Sequence, residues 1–377
     1  MTNESRCSQC ILPTSLPSVT LDDKGACALC GDYSGRQAEH AVAGQDKLKE
    51  FEALVERARS LRRPYDCLIP LSGGKDSTYA LYLCDRIYGL KCLGVTFDNG
   101  FLSPHAVSNI RNAVRSTRAD HMMITLNRPT MLKLYRLFLE KTGTFCPACL
   151  RGIGLALNVA QRYKIPLTVS GTGWQVTYLA GIPEVYQEGS VDYFRSVIKG
   201  EPIEKEVSPL LQDVSSWNLD RVFRIAARAL RRPRLARSLY VRLYDHFDPD
   251  YERIYETIKR EMGWTAGDEA NAEHLDCELH GIAGYLHNLK FPDLTGHTIH
   301  RAGLVRMGKL GRDEALSQDL EERARLSPPA ALEAFLKELG MTREEFLSYT
   351  ADWKRIAPFR SRKKHPIRSL YHKLTKQ

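Results

Sequence analysis

Residues 66–77, DCLIPLSGGKDS, combine the groups best suited to grip an anion. Gly73 and Gly74 allow a tight turn that brings bare N–H groups up to a phosphate, and Lys75 adds a full charge to the partial positive charge of a helix start. The layout is not the common nucleotide P-loop, in which the glycines are separated and a hydroxyl follows the lysine. Here the glycines are adjacent and Asp76 follows Lys75. A second chemistry is written in the cysteines. Cys7-x-x-Cys10 and Cys27-x-x-Cys30 have zinc-ribbon spacing, in which each pair turns two thiolates toward one ion and four close a structural site.

The run Ser72-Gly73-Gly74-Lys75-Asp76-Ser77 resembles the PP-loop of the ATP pyrophosphatase superfamily, whose members hold the pyrophosphate end of ATP and pass AMP to a substrate oxygen. That resemblance implies ATP and magnesium held by these six residues, with Lys75 and Asp76 in the catalytic role. The opening C-x-x-C-I-x-P, followed by P-x-V-x-L-D-x-x-G-x-C-x-x-C, is similar to the start of the N-acetyl sugar amidotransferase family. Those PP-loop enzymes make acetamidino sugars for bacterial surface polysaccharides. Residues 302–316 resemble the family's C-terminal signature, which implies that Arg306 and Arg312 clamp substrate or pyrophosphate.

Cys146-Pro147-Ala148-Cys149 lies beyond a strand's carboxyl end, on the ligand-binding side of a parallel sheet. In PP-loop sulfur transferases a comparable pair joins a distant third cysteine to hold an iron–sulfur cluster, which by resemblance makes Cys277 the third thiol of a 4Fe–4S site. A second zinc site, a redox pair and buried thiols with no task are the alternatives. The sugar enzymes carry other residues where this chain has His274-Leu275-Asp276-Cys277.

The elements that must position these groups alternate. Apolar strands are expected over residues 67–71, 92–97, 121–126 and 165–169, with helices over 104–115, 130–141 and 150–163 between them. This is the pattern of an α/β doubly wound parallel sheet, PP-loop or HUP-like by resemblance, with an N-terminal zinc ribbon and a helical C-terminal part. Asp76-Ser77 can cap the helix after the loop. Asp98 ends the second strand, where it can hold magnesium or touch the nucleotide, or simply form an Asp-Asn-Gly turn. The expected organisation is a ribbon over 1–35, a linking helix within 36–62, an ATP-binding core over 63–175, an insertion over 176–262, the rest of the catalytic region over 263–325 and a helical, basic tail over 326–377.

The net charge of +9 favours anionic partners. Arg221, Arg224, Arg228, Arg231, Arg232, Arg234, Arg237 and Arg242 stand among apolar residues with no acid between them, a stretch suited to anionic lipid, to RNA phosphates or to a solvated face. The polar opening and the absence of an apolar run near 18 residues lead to the expectation of a cytoplasmic protein, with peripheral attachment to the inner membrane face through the arginines. Two enzymatic readings follow. One is amidotransfer to an N-acetyl sugar on a nucleotide-linked or lipid-linked glycan precursor. Because the chain has Thr2 where an N-terminal-nucleophile glutaminase needs cysteine, ammonia then comes from separate glutaminase and channelling partners. The other is cluster-dependent thiolation of tRNA or a small metabolite. A basic zinc-ribbon scaffold that merely retains the loop is the non-enzymatic alternative.

Overall fold

A computed structural model of the chain describes residues 5–42, 44–173, 191–211, 238–247, 249–266, 276–291 and 293–350. Its centre is a five-stranded sheet in the order β3-β2-β1-β4-β5, with every pairing parallel. The strands are β1 (Cys67–Pro70), β2 (Cys92–Asp98), β3 (Asp120–Thr125), β4 (Leu167–Ser170) and β5 (Leu239–Arg242). Successive side chains of β1 point to opposite faces, and both faces are covered. Cys67 and Ile69 pack with α2 (Gly44–Ser60), α3 (Lys75–Tyr82), α4 (Pro104–Arg115) and α9 (Tyr251–Met262). Leu68 packs with Leu93 and Val95 against α7 (Gly152–Arg162) on the other face. This is the doubly wound arrangement expected. From central β1 the sheet grows to β2 on one side and to β4 on the other, so the crevice at its carboxyl end, where Ser72 begins, is a topological switch point.

Local signals explain most of the boundaries. Ser103 caps α4 by accepting a hydrogen bond from the Ala106 N–H at 3.0 Å, with Pro104 at the first helical position. Asn127 and the left-handed Gly143 bracket α5 (Arg128–Thr142) in the same manner. At the far end, Thr342 and Glu345 form a reciprocal capping box that starts α14 (Arg343–Thr350). The loop helix α3 departs from expectation: Gly74 is its N-cap, and Asp76 and Ser77 lie inside its first turn.

Two boundaries differ from those read in the sequence. The linking segment contains two helices, α1 (Ala28–Val42) and α2, and α1 begins within the second cysteine pair. Strand β5 and helix α9 fall inside the stretch 176–262 expected to be an insertion, yet both pack into the central core. Arg242, expected in the basic amphipathic stretch, is a β5 residue whose guanidinium donates to Asp245 at 2.7 Å. The arginines from 221 to 237 lie outside the described residues, as do His274 and Leu275 and the tail after 350.

Two further large apolar clusters lie among the described residues. One joins α5, α6 (Cys146–Leu150), α8 (Val191–Ile198), α10 (His280–Lys290) and α13 (Ala331–Leu339) around Tyr135, Phe145 and Phe335. The other joins the N-terminal cysteine segment to α11 (Thr298–Arg306) and α12 (Arg312–Ala324). Among the described residues no helix is long and apolar enough to cross a membrane.

Candidate functional site

The glycine loop leaves β1 at the switch point and is held from several sides. Ser77 Oγ accepts from the Ser72 N–H at 3.2 Å and donates to the Gly74 carbonyl at 3.1 Å, so the hydroxyl locks the loop instead of capping the helix. Trp264, buried, donates its indole N–H to the Gly73 carbonyl at 2.9 Å. Gly73 has φ +82°, and a methyl group there would stand 2.5 Å from the Ala106 carbonyl oxygen. Gly73→Ala is therefore expected to cost about 1–3 kcal/mol from backbone strain alone. Thermal melts should show the loss, together with impaired nucleotide binding; an unchanged melt and affinity would contradict the loop geometry.

Lys75 is 8 % exposed and sits 3.3 Å from Asp76 and 5.3 Å from the centre of the Tyr251 ring. The Tyr244 hydroxyl donates to Asp76 Oδ1 at 2.8 Å, and burial followed by the neighbouring carboxylate pushes that phenol well above its usual range. Behind them the turn after β4 comes so close that a methyl on Gly171 would be 2.3 Å from the Asp76 carbonyl oxygen. The cation is thus fixed at the mouth of the sheet, the placement that an anion with several phosphates needs. Asp98 forms the Asp-Asn-Gly turn: Oδ1 accepts from the Gly100 N–H at 2.8 Å and Oδ2 from Thr125 at 3.2 Å.

A cavity of about 350 Å³ opens beside the loop and is lined by Ser72, Asn99, Cys146, Cys149, Asp276 and Cys277. The structure thus brings the second cysteine pair and the distant cysteine to one wall of the loop's crevice. Cys277 is delivered by a short antiparallel pairing with Leu102, flanked by hydrogen bonds from Ser103 N–H to the Asp276 carbonyl (3.3 Å) and from Glu278 N–H to the Phe101 carbonyl (2.9 Å). Cys146 and Cys149 open α6, and Gly152 keeps α7 close to β2, since a methyl there would meet the Phe97 ring at 2.3 Å. Asn99 donates to Cys149 Sγ at 3.4 Å and to Cys277 Sγ at 3.3 Å, and Tyr135 Oη lies 2.9 Å from Cys149 Sγ. Burial pushes the Cys149 thiol up to about 12, with Cys277 adding to the rise, and it raises Cys146 and Cys277 too. Burial also raises Asp276, partly offset by the charge of Lys75. Three soft donors line the cavity, two of them sharing one amide, which is the ligand number that a cluster bound through three thiolates takes; Asp276 and His280 line the same cavity.

The N-terminal cysteines fit a tetrahedral ion. The sulfurs of Cys7, Cys10, Cys27 and Cys30 lie within 4.8 Å of one another, all buried, with separations of 3.8 Å for Cys7–Cys30 and Cys10–Cys27 and 3.5 Å for Cys27–Cys30. Zinc–sulfur bonds of about 2.3 Å require tetrahedral edges of about 3.8 Å. Cys7 Sγ also accepts backbone N–H bonds from Cys10 at 3.4 Å and Cys27 at 3.1 Å, as ligand thiolates in such knuckles do. Hydrogen bonds from Cys10 and then Cys30 hold the Cys27 thiol down to about 2, while the bond to Cys27 drives Cys10 up: the sulfurs share protons that a divalent ion would displace.

Arg312, expected to clamp substrate or pyrophosphate, meets ribbon backbone. Its guanidinium donates to the carbonyls of Cys7 (3.1 Å) and Cys10 (3.0 Å), clamping the first cysteine knuckle. Arg306 ends α11, whose Ile299, Ala302 and Val305 pack on the same ribbon. The arginines match the sequence signature, but the phosphate that they were expected to meet is replaced by ribbon backbone in the case of Arg312. Sequence reasoning missed Asn99, Tyr135, Tyr244 and Trp264; only Asn99 carried a signal, its place one residue beyond Asp98 at a strand's carboxyl end.

No family model matches the chain. Over 151 residues, 40% of its length, it is 26% identical to an uncharacterized protein of Methanocaldococcus jannaschii. It covers 48% of that protein, so the chain spans about half the length of the curated relative it matches. Among solved structures it is similar to the NMN synthetase of Francisella tularensis, at 14% identity and a TM-score of 0.36, over 76% of this chain and 93% of that one. It is also similar to the U34-tRNA thiolase NcsA of Methanococcus maripaludis, whose structure contains a 4Fe–4S cluster, at 14% identity and a TM-score of 0.31, over 93% and 97% of the two chains.

Proposed function

We propose that the chain is an AMP-forming PP-loop enzyme that activates a substrate oxygen with ATP and replaces it with sulfur. The observation that carries this reading is a single cavity bounded by Ser72 of the glycine loop and by Cys146, Cys149 and Cys277. A substrate oxygen attacks the α-phosphorus of ATP, the bond to the β-phosphate oxygen breaks, and pyrophosphate leaves into the loop. Lys75 balances the charge that grows on the departing group, and Asp76, oriented by Tyr244, would be the residue to hold a magnesium ion beside it. Sulfide then attacks the activated carbon, and the carbon–oxygen bond breaks to release AMP. Cys146, Cys149 and Cys277 would hold an iron–sulfur cluster, which would supply the chemistry that delivers sulfide. Asn99 and Tyr135 hold two of those sulfurs, and the half-buried wall keeps bulk water from competing for the activated carbon. The acceptor class is tRNA or a small metabolite. The four N-terminal cysteines hold structural zinc.

A second reading, amidotransfer to an N-acetyl sugar, is favoured by the sequence patterns of the first thirty residues and of residues 302–316, which resemble that family. It assigns the three cavity thiols no step and requires separate glutaminase and ammonia-channelling partners; lipid-linked substrate and an anionic membrane surface belong to it.

The two are separated by iron and acid-labile sulfide measured on anaerobically purified native protein and on Cys277→Ala, together with product masses from a panel of tRNA, metabolite and nucleotide-sugar substrates. A cluster lost in Cys277→Ala and a product in which sulfur replaces oxygen are expected. Amidine formed by an iron-free native protein would overturn the sulfur reading.

A further inference from the structure

We infer that Asn99 is a positioning residue for the thiol centre: one side-chain amide clamps Cys149 and Cys277 together, fixes their orientation and tunes the redox potential of what they hold. The inference rests on the sulfur reading only for the last of these consequences.

The orientation of the amide is settled by its own partners. Asn99 Oδ1 accepts from the Phe101 N–H at 2.8 Å, which leaves the NH₂ end as the one facing the sulfurs. Its two hydrogens match two acceptors, Cys149 Sγ at 3.4 Å and Cys277 Sγ at 3.3 Å, so the sulfurs can be no farther apart than the sum of those distances. The residue is 6 % exposed, and the Phe101 N–H on Oδ1 holds the amide in place, while the Tyr135 hydroxyl fixes the backbone beneath it by donating to the Asn99 main-chain carbonyl at 3.3 Å.

The two sulfurs come from segments 50 and 178 positions away from Asn99, which makes the amide a bridge between α6 and the segment ahead of α10. Cys146 is treated differently. The amine near it is Lys290, itself 6 % exposed, donating to the Gly143 carbonyl and lowered by burial to about 7. The centre is therefore asymmetric, with an amide on two sulfurs and a buried lysine near the third. Hydrogen bonds to cluster sulfurs stabilise the more negative, reduced form, so the clamp raises the potential, and outer partners of this kind are worth about 10–100-fold in metal retention.

The test uses the full-length chain and has two arms. In the first, iron-free, zinc-loaded protein selectively labelled with ¹⁵N-asparagine gives the Asn99 side-chain resonance, assigned by its disappearance in Asn99→Asp. That resonance should shift in Cys149→Ala and in Cys277→Ala and stay put in Cys146→Ala. A resonance unmoved by either of the first two, or moved equally by all three, would overturn the clamp whether or not a cluster ever forms. In the second, Asn99→Asp keeps the acceptor for Phe101 and replaces the donor with a carboxylate. After anaerobic reconstitution with ferrous iron and sulfide it should release iron to a ferrous chelator about 10-fold faster than native protein. Its remaining cluster should be harder to reduce. Equal release rates and equal potentials would refute the tuning role. Failure of the native chain to take up iron would sink the sulfur reading and the tuning role with it, while leaving the amide–thiol clamp to the first arm.

Discussion

Lys75→Ala is expected to lower AMP and pyrophosphate formation by about 10²–10³-fold, the loss seen when one preorganised charge-stabilising group is removed from a reacting site. The size follows from the setting. Lys75 is 8 % exposed, paired with Asp76 at 3.3 Å and backed by the Tyr251 ring, so its charge acts in a partly desolvated crevice and does not need to be reoriented as pyrophosphate departs. The fold should survive, because Asp76 keeps the hydrogen bond from Tyr244 at 2.8 Å when its ion-pair partner is gone. Lys75→Arg should not rescue activity, since a planar guanidinium cannot take the place of a compact ammonium in a buried niche. The check is a pyrophosphate-release assay beside a thermal melt. Native protein that released ADP and phosphate instead would remove the adenylation reading altogether.

Stripping the metal from the N-terminal cysteines, or changing Cys10 to Ser, should cost on the order of 5 kcal/mol, part of the roughly 10–16 kcal/mol that structural zinc supplies to isolated fingers. The remainder is retained because this ribbon also has an apolar contact: Ile11, Leu12 and Leu16 pack on Phe291, Leu294 and Ile299. Calorimetry with and without a strong chelator, beside metal analysis, tests it; a metal-bearing protein whose melt the chelator leaves untouched would refute the structural role. The same docking surface should be acid-sensitive. Burial alone would raise Glu322, but His297 and Arg301 hold it down to about 2. Its contribution is therefore complete above the ordinary value of 4.5 and is lost as pH falls from there toward 2. Arg312→Ala, which removes the hydrogen bonds to Cys7 and Cys10 and an exposed pairing with Asp313, should cost less, about 1.5–3 kcal/mol.

The parts of this molecule that could be read from sequence are those whose signal is local. Residues 67–71 form an apolar run because β1 is covered on both faces, and 104–115 announce a helix through Ser103, Pro104 and the spacing of Ala106, Ile110 and Ala113. Strand β5 was hidden because Leu239–Arg242 follows an arginine-rich stretch and ends in arginine, so its four residues read as more of the same basic helix. Arg312 misled for a related reason. An arginine that grips backbone carbonyls and one that grips phosphate use the same donors, and only the fold says which is in reach. The thiol centre was half legible: cysteine spacing points to Cys146 and Cys149, but Asn99 becomes meaningful only once distant segments have delivered both of its sulfurs.

The contact between Arg312 and Cys7 spans 305 positions, and Arg6 likewise donates to the carbonyl of Asp293, 287 positions later. On the ribosome the cysteine knuckles emerge 287–305 positions ahead of the surface that receives them. Until that surface follows, the ribbon is on its own, with its apolar side uncovered and a bound ion as the means of holding its shape. Metal supply during translation would then govern the yield of folded chain more than metal supply afterwards, and a starved cell should accumulate aggregates of this protein sooner than it loses the activity of molecules already made.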